Sequence, residues 1–249
     1  MDLETYLAEE VCFREYPEDF DDCIRSNFGD DLFSKYEDFN ERFVNSMDFK
    51  REFYEFFSNS GLFKLFLQID EFKAKNCMNY ISAQLSKQEK VLDAGIGDAT
   101  KLVWYAINNL EAKFTGVDFC ESFLKSAEKR FGKYSVKNCS LACGNLANLP
   151  FQDGSFDLVI ADHSLHEFQT EYGGADESFV ITVPEVMRVL RPGGKLVGAL
   201  TMPDYGIGGI MSYLDLFIQD SGGRNLVFEK RIEKPEYSSL VLFNVVKAL

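Results

Sequence analysis

Histidine is scarce in this chain: two in 249 residues, His163 and His166, set three apart. That scarcity confines any imidazole chemistry to one place. The six cysteines, at 12, 23, 77, 120, 139 and 143, form no CxxC pair. They therefore read as reduced, mostly packed thiols of a cytoplasmic chain, with no metal site expected. No apolar run approaches the ~18 residues of a membrane span, and the opening MDLETYLAEE has no basic segment or apolar core of a signal peptide. Positive charge is short as well, with 26 Lys and Arg against 40 Asp and Glu. A net charge of −14 lacks the basic footprint that nucleic acid or an anionic membrane surface demands. Repeats and low-complexity tracts are also missing.

What is present falls into two textures. Residues 1–86 are acidic and aromatic: the first 75 carry 19 acids against 9 bases, and 17 of the chain's 36 aromatic residues. Phe33, Tyr36, Phe39, Phe43 and Met47 recur at three- and four-residue spacing, and Leu62, Leu65, Phe66, Ile69 and Phe72 repeat the pattern. Both runs predict amphipathic helices, so 1–86 is read as a helical cap. Its aromatics either line an apolar pocket or pack the cap onto the remainder. Residues 87–249 alternate short apolar runs with helical patterns, which predicts crossover connections and a parallel sheet. Strands are expected near 89–93, 113–118, 137–143, 156–161 and 195–201, with helices near 99–110, 120–132, 178–190 and 210–220. Two further strands are expected in the tail, joined by a polar loop around Pro235.

The most informative stretch is VLDAGIGDAT, residues 91–100. An apolar strand ends in Asp93, and Gly95 and Gly97 then allow a turn close enough for a nucleotide-like ligand to touch backbone. Asp93 and Asp98 flank the turn and would repel a pyrophosphate. The third glycine of a dinucleotide loop is missing as well, its place taken by Thr100. A cationic, phosphate-free nucleoside suits such a loop, and S-adenosylmethionine is one. Asp118 ends the next strand, 25 residues after Asp93, where a carboxylate accepts ribose hydroxyls. Ala99, at the start of the expected helix, is read as helical because alanine avoids positive φ.

Taken in order, VLDAGIGDA, FTGVDFCESFLKSAEKR, GNLANLPFQDGSFDLVIADHSLHEF and EVMRVLRPGGKLV resemble the class I S-adenosylmethionine-dependent methyltransferases, in the type 11 (UbiE-like) group acting on small molecules. The resemblance implies a Rossmann-like seven-stranded sheet, parallel except for an antiparallel last strand, behind the N-terminal cap. It implies that Asp93, Gly95 and Gly97 hold the methionine part of the cofactor, that Asp118 binds ribose, and that Phe119 packs on the adenine. Asn145 and Leu146 take the adenine edge, with Asn145 standing where the family usually has Asp. Asp162, His163, His166 and Glu167 fall beyond the fourth strand, near the transfer point. Asp162 is counted with the cofactor contacts. Either histidine is a candidate for taking a proton from the acceptor, and packing is the alternative for His166. Glu171 and Tyr172 in the polar 168–178 loop, and Tyr205 after the fifth strand, are candidate substrate contacts. The expected activity is methyl transfer to a small organic molecule, aromatic or apolar in part. A non-catalytic cofactor-binding subunit, a protein or peptide methyltransferase, and a related enzyme of another reaction type share these motifs.

Overall fold

The computed structural model describes residues 1–13, 20–41, 47–68, 71–85, 90–165, 175–202, 207–231 and 239–249. Six helices come first: α1 (Leu3–Glu10), α2 (Phe20–Phe28), α3 (Asp30–Glu41), α4 (Met47–Ser60), α5 (Leu62–Gln68) and α6 (Glu71–Gln84). The alternating region follows as β1 (Lys90–Ala94), α7 (Thr100–Asn108), β2 (Lys113–Asp118), α8 (Glu121–Tyr134), β3 (Cys139–Cys143) and β4 (Phe156–Asp162). Then come α9 (Ala175–Val189), β5 (Leu190–Met202), α10 (Ile207–Asp220), β6 (Gly223–Arg231) and β7 (Ser239–Lys247). The strand order is β3-β2-β1-β4-β5-β7-β6. β1 to β5 pair in parallel, and β7 inserts antiparallel between β5 and β6. This is the expected Rossmann-like sheet, including both tail strands; their connection around Pro235 lies outside the described residues.

Side chains alternate across a strand, so consecutive apolar residues feed two different cores. Leu92, Val159 and Leu196 face a core closed by Phe179, Val183 and Val186 of α9 and by Leu214 and Ile218 of α10. Their neighbours Val91, Leu158, Ile160 and Val197 face the opposite core, filled by Leu102, Val103 and Ala106 of α7. Tyr6 and Leu7 of α1, with Met78 and Ile81 of α6, are buried in that second core. Hence α1 and α6 pack as part of the sheet's own helical layer. A separate cluster of Cys23, Ile24, Phe33, Phe57, Leu62 and Leu65 is built from α2 to α5.

Two local expectations change. Ala99 is not helical: its φ is 60° and ψ 21°, and it caps α7 from the left-handed region. The turn fixes it there, because its N–H donates to the Ile96 carbonyl at 3.0 Å and its carbonyl accepts from Val103 at 3.0 Å. The penalty, about 1–2 kcal/mol for a residue with a Cβ, is borne by a side chain that is fully buried. The fifth strand, expected near 195–201, begins earlier, so that Pro192-Gly193-Gly194 lies within β5. Pairing jumps from Phe156–Leu190 to Leu158–Lys195, so Arg191–Gly194 bulges out of the ladder.

Candidate active site

A cavity of about 450 Å³ opens over the carboxyl ends of the central strands, the position where open α/β sheets bind ligands. Its volume lies within the range of small-molecule sites, roughly 300–1,000 Å³. The glycine loop forms one wall. Gly95 has φ 83°, and a Cβ on it would stand 2.6 Å from the Cβ of Ser164. Gly97 has φ 53°, and a Cβ there would stand 2.6 Å from the Phe63 ring. Only glycine meets both the dihedral and the close approach. The loop is shaped to bring backbone, rather than side chains, against whatever fills the space.

Asp93 and Asp118, each 5% exposed, line this wall. The Asp118 carboxylate accepts from the Gly97 N–H at 3.0 Å and from the Cys120 N–H at 2.9 Å. Burial still pushes it up to about 6 despite those bonds. Asp93 is pushed further, to about 8, by burial and by the neighbouring Asp162 charge, against the pull of Lys101. Burial alone would raise Asp162 too, but Lys101 and His163 hold it well below the usual carboxylate range. The Lys101 ammonium lies 2.6 Å from Asp162.

The acidic flank thus works differently from the sequence expectation. Asp98 is consumed structurally: it caps Thr100 through N–H (3.0 Å) and Oγ1 (2.6 Å) and pairs with Arg130 at 2.7 Å. Asp93 favours its neutral form at pH 7. The charge that opposes a pyrophosphate therefore comes chiefly from Asp118, because Asp162 is balanced by the Lys101 ammonium as Asp98 is by Arg130.

His163 lines the cavity with φ 60°, its N–H bonded to the Ala199 carbonyl at 2.9 Å. Both ring nitrogens are engaged: Nδ1 at 2.5 Å from Asp162 and Nε2 at 2.7 Å from the Thr201 hydroxyl. An ionised carboxylate only accepts, so Nδ1 carries the hydrogen shared with Asp162, while Nε2 shares a hydrogen bond with the Thr201 hydroxyl. Such a ring braces Asp162 and β5; taking a proton from an acceptor would first require losing Thr201. His163, a candidate for proton transfer on the sequence, is thus placed on the cavity wall with both ring nitrogens hydrogen-bonded. His166, Glu167, Glu171, Tyr172 and Tyr205 lie outside the described residues.

Leu146 and Phe119 line the cavity, but Asn145 does not. Its amide oxygen accepts from the Ala147 N–H at 2.8 Å, which closes an Asx turn. The sequence pattern also missed residues brought in by tertiary contact. From α7 come Lys101 and Tyr105, spaced i,i+4 on the helix that leaves the loop, a spacing visible in the sequence. Ser164 and Thr201 come from the ends of β4 and β5. The opposite wall is aromatic: Phe53, Tyr54 and Phe57 of α4, Phe63 and Phe66 of α5, and Phe123 of α8. Tyr54 meets Phe119 edge-on at 5.6 Å, and Phe63 meets Phe123 at 4.6 Å. Cap aromatics thus do both things the sequence left open, lining the cavity and packing onto α8.

Residues 92–198 match the family model described as a methyltransferase domain. An uncharacterised methyltransferase of Schizosaccharomyces pombe is 29% identical over 126 residues, 48% of this chain and 42% of that protein. A demethylmenaquinone methyltransferase of Listeria welshimeri is 32% identical over 114 residues, 45% of each chain. The chain thus spans less than half the length of these curated relatives. Among solved structures, the apo form of the S-adenosylmethionine-dependent methyltransferase SibL is similar with a TM-score of 0.60 at 14% identity, covering 92% of this chain and 73% of that one, a likeness of fold. With the glycine loop and Asp118 inside the matched stretch, and the sheet order around them, residues 92–198 of the chain are similar to the methyltransferase domain family, and the fold around them is that of solved S-adenosylmethionine-dependent methyltransferases.

Proposed function

We propose that this chain transfers a methyl group from S-adenosylmethionine to a small organic acceptor that is aromatic or apolar in part. The observation that carries the reading is the two-sided cavity, with the Asp93–Gly95–Gly97–Asp118 wall facing an aromatic wall supplied by α4, α5 and α8. The residues fit the cofactor: the loop has no room for a Cβ at Gly95 or Gly97, and two polar side chains in the lining, Tyr105 and Ser164, are buried without a partner. When bound, S-adenosylmethionine supplies a methyl carbon already activated by its sulfonium. The chain's own part is to bind, orient and exclude water. Asp118 is placed to accept ribose hydroxyls, Asp93 to receive the ammonium group, and Phe119 to stack on the adenine. The aromatic wall holds the acceptor by its apolar face and keeps the site dry. With His163 tied at both nitrogens, positioning rather than base catalysis is the role of this network. An acceptor with an apolar ring is also consistent with the name of the Listeria relative, which refers to a demethylmenaquinone.

Calorimetry with S-adenosylmethionine tests the site, and transfer of a labelled methyl group to a panel of ring-bearing acceptors tests the activity. Asp118→Ala is expected to weaken binding at least ~100-fold, the loss of two charge-assisted hydrogen bonds, with circular dichroism unchanged. Undiminished binding in that variant overturns the assignment. Binding without transfer to any acceptor would favour a non-catalytic cofactor-binding subunit.

A further inference from the structure

Cys77, fully buried on α6, packs with Ala199 of β5 and with Leu240 and Leu242 of β7. The Ala199 carbonyl also accepts from the His163 N–H, so α6 and the end of β4 meet over one point of β5. One ligand atom each from Cys77, Asp162 and His163 (a sulfur, a carboxylate oxygen and a ring nitrogen) lie there within 4.8 Å of one another. A tetrahedral Zn²⁺ ion sits about 2.3 Å from sulfur and about 2.0–2.2 Å from nitrogen and oxygen, so its ligand atoms stand roughly 3.3–3.7 Å apart. Small side-chain rotations supply the difference. Spacing in the sequence announces no such set, because Cys77 precedes the sheet and has no second cysteine near it. That is why no metal site is expected from the sequence alone.

The hydrogen bonds already divide the roles. Asp162 turns its two oxygens to different partners, Oδ2 to the Lys101 ammonium at 2.6 Å and Oδ1 to His163 Nδ1 at 2.5 Å. An ion that replaces the hydrogen between Nδ1 and Oδ1 therefore leaves Lys101 in place on Oδ2. Nε2 then carries the ring hydrogen and donates to the Thr201 hydroxyl, 2.7 Å away, the outer bond that ligating histidines make. A second observation points the same way. The Tyr105 hydroxyl is fully buried, has no hydrogen-bond partner among the described residues, and has Asp162, Asp93 and Cys77 as electrostatic neighbours. Such an orphan calls for an explanation. A neutral thiol is a weak acceptor, whereas a metal-bound sulfur is ionised and accepts well. Charge and softness then select the ion. A thiolate, a carboxylate and a neutral imidazole carry two negative charges between them, which a divalent ion balances. Mg²⁺ and Ca²⁺ take oxygen ligands, while a mixed S, N, O set suits a borderline transition ion. We infer that Cys77, Asp162 and His163 form a Zn²⁺ site whose fourth position opens to the cavity that Asp162 and His163 line. Three protein ligands with one open position are the catalytic type of zinc site, not the closed structural type.

The test titrates the whole chain, stripped with a chelator, with Co²⁺ and Zn²⁺ in the absence of S-adenosylmethionine. Its outcome is thereby independent of the proposed methyl transfer. One Co²⁺ per chain is expected, with a thiolate-to-metal charge-transfer band in the near ultraviolet and the intense visible bands of a tetrahedral site. Zn²⁺ should displace the Co²⁺ and raise the melting temperature, and Mg²⁺ should do neither. Cys77→Ser should remove the charge-transfer band and weaken Zn²⁺ by at least ~100-fold, as much as or more than the ~10–100-fold of losing an outer partner. His163→Gln lies on the cavity wall and decides the matter if Cys77→Ser does not fold. It should keep the charge-transfer band at saturating Co²⁺, shift the visible bands and weaken Zn²⁺ by at least ~10-fold. A full charge-transfer band in Cys77→Ser would place the ion on the exposed thiols Cys12 or Cys143 and overturn the site. Unaltered Zn²⁺ affinity in His163→Gln, or a wild type that binds no Co²⁺, would overturn it equally.

Discussion

Two carboxyl groups packed against one lysine have opposite titration behaviour here, and Asp93 is the one on which the proposed ammonium contact bears. Its folded-state value, about 8, lies above its ordinary value because burial and Asp162 both disfavour the charge. The folded chain therefore holds a proton that the unfolded chain has released between about pH 4 and 8. Stability from this group is complete below that window and is lost as pH rises through about 8. An ammonium arriving beside Asp93 favours the charged form, so binding at pH 6.5 should expel close to one proton. Calorimetry in two buffers of different ionisation enthalpy reads that number directly. Asp93→Asn should abolish the proton release and weaken binding, yet flatten the fall in melting temperature of the unliganded protein between pH 6.5 and 9. Release of no proton by the wild type would refute the role given to Asp93.

The cap is held to the sheet by a helix terminus. The first turn of α8 has no cap from its own Cys120 side chain, and Glu55 of α4 supplies one from across the chain. Its carboxylate accepts from the Ser122 N–H at 3.2 Å, from the Ser122 hydroxyl and from the Cys120 thiol at 3.4 Å. Burial opposes that charge, but the Ser122 bonds prevail and hold the carboxyl below its usual value. A carboxylate at an N-terminus also meets the positive end of the helix dipole. Glu55→Gln should therefore cost about 1 kcal/mol, roughly 2–4 °C in a chain of this size. It should also speed dissociation of cofactor from beneath the cap, read by stopped-flow fluorescence. An unchanged dissociation rate would mean that the latch does not govern access. Nothing in residues 50–60 announces Glu55, because its partner lies 67 positions away. The same holds for Lys101, which meets Asp162 only after α7 and β4 have packed. By contrast, Asp93, Gly95, Gly97 and Asp118 are legible in the sequence, because a strand, its following turn and its neighbour strand fix them locally. Ala99 departs from its sequence expectation because the rule against positive φ in alanine is a preference of a kcal/mol or two, and the two hydrogen bonds of the turn outweigh it.

At the scale of the molecule, helices that precede the sheet divide between two packing units. α1 belongs to the sheet body: Tyr6 and Leu7 are fully or almost fully buried there, and the Tyr6 hydroxyl donates to the Thr100 carbonyl at 2.5 Å. An ion cluster braces the same junction, with Arg130 paired to Glu10 and to Asp98 of the glycine loop. The α2–α5 cluster, by contrast, reaches the body through α4 on α8 and through Phe63 on Gly97. The two units should therefore fail differently. Leu7→Ala opens a cavity in the core that carries the glycine loop, at about 2–5 kcal/mol, and should lower the global melting temperature by roughly 5 °C or more. Phe33→Ala removes a comparable volume from the α2–α5 cluster. Hydrogen exchange on the two variants separates the cases. Leu7→Ala should speed exchange in β1, α7 and β4 together, because they share its core. Phe33→Ala should speed exchange in α2 to α5 and leave β1 and β4 protected. Faster exchange of the central strands in both variants would show one cooperative unit, with the cap's aromatic cluster stabilising the sheet as much as it covers it.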